Sequence, residues 1–156
     1  MARSSSRAAP ELRTGGVEHL LGYLLALAEL PTRQVFQQAI GQPFGLRPVE
    51  FTLLVLLLDN GAASPRQIGP ALRLPPPHVT TLVDRLAGRD LVERAPDPRD
   101  GRAVRVVLTE GGRKLAERAR QVSLTMEDRL QAVLSPAERE RLRALLLKLA
   151  RAEPAG

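Results

Sequence analysis

The apolar positions between Pro77 and Leu108 change period part-way, and the change marks out a small motif. Val79, Leu82, Val83 and Leu86 recur at i, i+3, i+4 and i+7, the spacing of one buried helix face. The opposite face carries His78, Thr80, Thr81, Asp84 and Arg85. This helix is expected to start at Pro77, because consecutive prolines disfavour helix before them while the last one pre-sets the first turn. Gly88 to Asp90 should close it. Leu91 to Arg94 and Ala103 to Leu108 then read as two β-type runs around the Asp-Gly-containing loop APDPRDGR, a hairpin.

Just upstream, Ser64-Pro65-Arg66-Gln67 reads as a capping box, with Ser64 as N-cap and Gln67 reaching back. It opens a short helix to about Leu72. Two short helices followed by a hairpin have the order of a winged helix-turn-helix. Before them, a helix from Pro48 to about Leu58 should end at Asp59-Asn60-Gly61, where Gly or Asn can take the left-handed closing conformation. GQPFGLRP, residues 41–48, is predicted to be a turn. From Val17 to Ile40 the apolar residues crowd around more than one helical face, so this helix needs more than one neighbour. Pro31 predicts a kink or break at Leu30 to Thr32. At the other end, Thr109 is expected to cap a long helix from Glu110 to about Val133, despite Gly111 and Gly112 in its first turn. Ser135 to Glu138 form a second capping box, before a final helix with Leu142, Leu145, Leu146 and Leu149 on one face. There is no internal repeat.

Composition sharpens this picture. With 44% hydrophobic but only 3% aromatic residues in 156, the core must be built from Leu, Ala and Val, which points to a mainly α protein with a small β-hairpin. The length fits one domain or an elongated helical dimer. A net charge of +6 favours polyanionic partners. Absence of Cys excludes thiolate catalysis, cysteine zinc sites and thiol switches. His19 and His78 have no metal-ligand spacing, and no nucleophile motif or phosphate-binding Gly loop is present, so neither an enzyme nor a cofactor or metal is expected. Residues 1–14, with Arg3, Arg7 and Arg13, are predicted to be a flexible basic tail. No run is long enough to span a bilayer and the start has no apolar leader, so the expected location is cytoplasmic, with no membrane partner.

Duplex DNA offers distinct donor and acceptor patterns in a major groove wide enough for a helix, while its phosphates supply most of the affinity. The N-terminal polar face of the helix from Pro77 is therefore the candidate reader: Pro77, His78, Thr80 and Thr81, with Arg85 next. Ser64, Arg66, Gln67 and Arg73 lie at helix starts or ends suited to phosphate contact. In the loop of the hairpin, Asp97 and Asp100 would repel phosphate if free, so they are assigned to orienting neighbouring arginines. A competing reading is a protein-interaction winged helix with only sequence-independent DNA affinity.

Residues 82–115, LVDRLAGRDLVERAPDPRDGRAVRVVLTEGGRKL, resemble the recognition-helix end, wing and following helix of the MarR family of bacterial transcription regulators, and the helix order matches from about residue 17 to 151. The resemblance implies a homodimer in which residues 15–45 and 109–152 form a helical dimerisation platform beside a DNA-binding region at 46–108. It implies that Arg102 enters the minor groove and Arg99 makes a backbone or supporting contact. Two such units on a two-fold axis would bind an inverted repeat with half-sites roughly 10 bp apart. It further implies repression relieved by a small, often aromatic effector between platform and DNA-binding lobe, for which His19, Tyr23 and Phe51 are the candidate residues. Where the family often has Ser or Thr and then Thr-Arg, this chain has Pro77, Thr80 and Thr81, so the family's base preference does not carry over.

Overall fold

Pro48–Asn60 form α3, whose Leu53, Leu54 and Leu57 are completely buried at the centre of the molecule. The structure, a computed structural model, describes residues 12, 14–98 and 100–152, and of residues 101 and 102 the backbone alone. The predicted basic tail, apart from residues 12 and 14, therefore lies outside the described residues together with its three arginines, as do Arg99 and the Arg102 side chain.

α3 is preceded by α1 (Leu21–Phe36), a π-helical turn (Gln37–Gly41) and α2 (Gln42–Phe44). Two expectations are corrected here. Pro31 sits inside α1 without breaking it, and the Thr32 hydroxyl donates to the carbonyl of Glu29 (2.8 Å) within the same turn. The helical hydrogen-bond pattern changes at the π turn that follows. The predicted turn at 41–48 is also shorter, because right-handed helical backbone continues through Gly41 and Gln42 into α2. Gly45 makes the turn in the left-handed region (φ 62°).

Downstream lie α4 (Pro65–Leu72) and α5 (Pro76–Ala87), then β2 (Val92–Asp97) and β3 (Asp100–Leu108). β3 is central in a three-stranded antiparallel sheet, because Ala62–Ala63, here β1, pairs with Val107 and Val106. A two-residue strand carries no alternation, so the pattern did not announce it. Both hairpin strands run further than expected, and Pro96 is accommodated because β2 is an edge strand.

The sheet leads into α6 (Glu110–Ser123), capped as predicted: the Thr109 hydroxyl oxygen accepts the Gly112 N–H (2.9 Å) and its O–H donates to the Asp90 carbonyl (2.7 Å). α6 stops ten residues short of the predicted Val133, where a turn leads to the single-turn α7 (Asp128–Gln131). At the break the Ser123 hydroxyl donates to the Arg120 carbonyl (2.7 Å), a local bond that competes with continued helix. α8 (Pro136–Ala150) closes the chain.

At the start of α8, Glu138 accepts from both the N–H and the hydroxyl of Ser135 (2.8 Å each). The backbone bond first, then the hydroxyl, holds its carboxyl below the ordinary carboxylate range, against a small opposing effect of burial. Because the folded value is the depressed one, this stabilisation is present above the unfolded carboxyl range and is lost as pH falls through the folded value. Glu138→Gln should therefore flatten the acid limb of a pH–unfolding curve while shifting the neutral-pH midpoint little; an unchanged acid limb would contradict the assignment.

The core joins α3, α4, α5, the sheet and α6 with Phe36 at the end of α1 and Ile40 in the π turn. α1 and α8 are different: α8 buries none of its residues, and leucines on both helices, among them Leu21, Leu24, Leu142 and Leu146, stay exposed. A groove of about 1000 Å³ runs between them, lined by Ala28, Pro31, Leu134, Leu142 and Leu146 among others.

Candidate nucleic-acid interface

The polar face of α5 is displayed because the other face is spent on the core. Val79, Leu82, Val83 and Leu86 are all buried, as their spacing predicts. The helix begins one residue earlier than expected, at Pro76, with Pro75 as N-cap. α4 approaches it through a tight turn in which Arg73 takes a left-handed conformation (φ 52°) and the Leu74 N–H donates to the Gly69 carbonyl (2.8 Å). A Cβ on Gly69 would lie 3.2 Å from the Leu74 carbonyl oxygen, closer than most such contacts, so a small residue suits this turn.

Pro77, His78, Thr80, Thr81, Asp84 and Arg85 are all exposed. The hydroxyls of Thr80 and Thr81 donate to the carbonyls of Pro76 (3.3 Å) and Pro77 (3.0 Å). Each donation is used inside the helix, which fixes the rotamer and leaves the oxygen able to accept. Farther along, Asp84 pairs with Arg94 of β2 (2.6 Å), fastening the wing to α5. Arg85 is directed at Glu50 of α3 (3.3 Å), a partner not anticipated from the sequence.

Of the four expected phosphate contacts, Arg66 and Arg73 are exposed. Ser64 and Gln67 serve the cap of α4: the Gln67 side-chain oxygen accepts the Ser64 N–H (2.9 Å) and hydroxyl (3.0 Å). In the wing, the Asp97 carboxylate lies 3.8 Å from Nε of Arg105, whose Nη2 donates to the Ala62 carbonyl (3.2 Å). Arg105 thus braces wing and β1 together, a role the sequence reading missed. Asp97 and Asp100 both have interactions in the fold.

The three expected effector residues are not gathered within one chain. The Phe51 ring meets Phe36 edge-on (5.8 Å between centroids). Tyr23 is half-buried thirteen residues earlier on the same helix as Phe36, roughly 20 Å away along the axis. His19 is exposed in the turn before α1.

A short helix pair, a polar reading face and a braced hairpin are the parts of a winged helix-turn-helix, and comparison with known proteins agrees. The MarR family model matches residues 46–104, from the end of the turn before α3 into β3. The HTH-type transcriptional repressor NicR of Pseudomonas putida is 31% identical over 133 residues, covering 85% of this chain and 84% of that protein. The chain belongs to the MarR family. Among solved MarR-like structures, the repressor CouR bound to a 23-mer DNA duplex is similar at a TM-score of 0.83 with 34% identity, covering 91% of this chain and all of that one. BpsR of Bordetella bronchiseptica, whose DNA binding is regulated by 6-hydroxynicotinic acid, gives a TM-score of 0.79 with 30% identity, covering 92% and 100%. This MarR-family chain is accordingly a DNA-binding transcription regulator with a winged helix-turn-helix fold, and neither its family nor these relatives are enzymes. No helix among its described residues is long and apolar enough to cross a membrane.

Proposed function

We propose that the chain is a homodimeric repressor in the cytoplasm that binds an inverted DNA repeat and is released by a small aromatic effector. The observation that carries the reading is the pairing of a displayed α5 face with a hairpin tied to it through Asp84 and Arg94. His78, Thr80 and Thr81, behind Pro77, read base edges or neighbouring phosphates. Arg66 and Arg73 hold backbone phosphates, with Ser64 and Gln67 presenting the start of α4 to them. Arg102 enters the minor groove, where narrow A·T-rich stretches have enhanced negative potential. Arg99 supports it, and Asp97 and Asp100 keep the loop in shape. Arg85, one turn beyond Thr81, supports this face through its ion pair with Glu50.

Dimerisation is supported by the uncovered leucines of α1 and α8, which a second copy would bury. Effector control is supported by BpsR, whose DNA binding is regulated by 6-hydroxynicotinic acid. Phe51, beside Phe36 at the edge of the DNA-binding lobe, is the anchor we assign to the effector crevice; Tyr23 and His19 would reach it only from the partner copy.

The test is selection of bound duplexes from a random DNA pool by the purified protein, with Arg102→Ala in parallel. One inverted repeat should emerge, its half-sites roughly 10 bp apart, and the variant should bind it about tenfold or more weakly. A pool returned without a motif, and a variant equal to the parent, would overturn the reading in favour of an interaction module with incidental basic charge.

A further inference from the structure

Glu50 is the only buried charged residue among those described, at 2% exposure. One oxygen of its carboxylate accepts the Arg47 N–H (2.9 Å), closing the first turn of α3. The same oxygen lies 3.5 Å from Nη1 of Arg89, and the other lies 3.3 Å from Nη1 of Arg85. Capping alone explains neither the charge nor the burial. Gln67 does the same work for α4 without a charge, and Glu138 does it for α8 in the open. A carboxylate taken out of water is tolerated only where cations and hydrogen bonds replace the water, and here both cations come from α5 and the turn that follows it.

We propose that Glu50 is a positioning residue for the recognition helix: through Arg85 and Arg89 it ties the C-terminal end of α5 to the N-terminus of α3. α3 in turn is fastened to α6 by Asp59 and Arg120 (2.6 Å). Thr81 stands one turn before Arg85, so the angle at which the ion pairs hold α5 sets how its reading face meets the groove. The carboxylate also occupies two arginines that would otherwise be phosphate ligands of no sequence preference. Glu50 thus trades non-specific affinity for specific geometry. This inference rests on the proposal that α5 reads an operator.

Glu50→Gln isolates the effect, because the amide oxygen can still accept the Arg47 N–H while the charge is gone. It raises the net charge from +6 by one. Duplex titrations of the full-length variant should show affinity for the operator selected by the parent falling about tenfold. Affinity for a scrambled duplex should hold or rise, and its dependence on salt should steepen. A purely structural role would lower both affinities by one factor, the folded fraction read from circular dichroism. Glu50→Asp, which retains the charge, should recover part of the lost ratio. Arg89→Gln should lower the ratio in the same direction, and less than additively with Glu50→Gln. Where Glu50→Gln does not fold, the aspartate variant and Arg89→Gln carry the test. Equal changes on both duplexes, or none, overturn the inference alone; a parent that selects no operator takes the proposed function down with it.

Discussion

Gly112→Ala should destabilise the protein by about 3–5 kcal/mol, a loss at the upper end for overpacked sites. An added Cβ at this position would overlap the carbonyl oxygen of Leu91 and come within 2.7 Å of its carbonyl carbon and 3.0 Å of its Cα. These are backbone atoms held from both sides: the Leu91 N–H donates to the Leu86 carbonyl (3.0 Å) and its carbonyl accepts the Thr109 N–H (3.2 Å). The clash cannot be relieved by turning a side chain, so either α6 lifts off or the junction between α5 and β2 shifts. Gly111 supplies the control. Its added Cβ would meet only the Asp90 carbonyl oxygen at 3.7 Å and the Thr109 hydroxyl at 3.8 Å, ordinary contacts. In a helix an alanine is preferred over glycine by up to about 1 kcal/mol, so Gly111→Ala should be neutral or stabilising. Thermal unfolding at one fixed protein concentration should separate the neighbours by roughly 10 °C or more. Superimposable melts would mean that α6 does not pack on Leu91 as described.

That contrast illustrates what the sequence exposes. Two adjacent glycines in a first helical turn look alike, since their difference lies in the contact of Gly112 with Leu91, far outside the helix in sequence. Periodic and capping signals, by contrast, are local. The buried face of α5, the Ser64, Thr109 and Ser135 caps and the hairpin were all legible because each is settled within a few residues. The continuation of α1 through Pro31 was not, because the loss of one N–H bond is set against a helix long enough to absorb it. Nor was the break after Ser123, where neither Gly nor Pro marks the chain.

The site divides the same way. Spacing placed His78, Thr80 and Thr81 on the displayed face. The partners that fix that face (Glu50 for Arg85 and Arg89, Asp84 for Arg94, Arg105 for Asp97) link residues up to 39 positions apart and needed the fold. One signal for Glu50 was available: Pro48 followed two residues later by Glu is a helix-start signature. Arginine has no acceptor, so Arg47 cannot complete a capping box from its side. The carboxylate's half of the box was readable; its burial was not.

Leu146→Glu should convert the proposed dimer to monomer at micromolar concentration and weaken operator binding by on the order of a hundredfold or more. In a single chain Leu142, Leu145, Leu146, Leu147 and Leu149 are between 41% and 51% exposed, and Leu20, Leu21, Leu24, Leu25, Leu27 and Leu30 of the first helix region between 41% and 62%. Each leucine taken from water contributes up to about 1.5–3 kcal/mol, and a patch of this extent exceeds what soluble monomers ordinarily leave uncovered. Leu146 lines the groove together with Ala28 and Pro31, so a carboxylate there would have to leave water if a second copy fills it, at a cost that the groove's Arg139 and Arg143 offset only in part. Loss of the proposed dimer would remove one of two linked half-site contacts and leave each subunit with only its own affinity. The core of the DNA-binding lobe does not include Leu146, so the sheet and α5 should stay folded in the variant. Sedimentation velocity reads the mass, and titration with the selected duplex reads the affinity. Glu117→Gln, on the exposed side of α6, should leave both unchanged. If Leu146→Glu remains dimeric and keeps its operator affinity, the leucines of α8 are covered by something other than a second copy, and the two-fold arrangement that dictates an inverted repeat loses its physical basis.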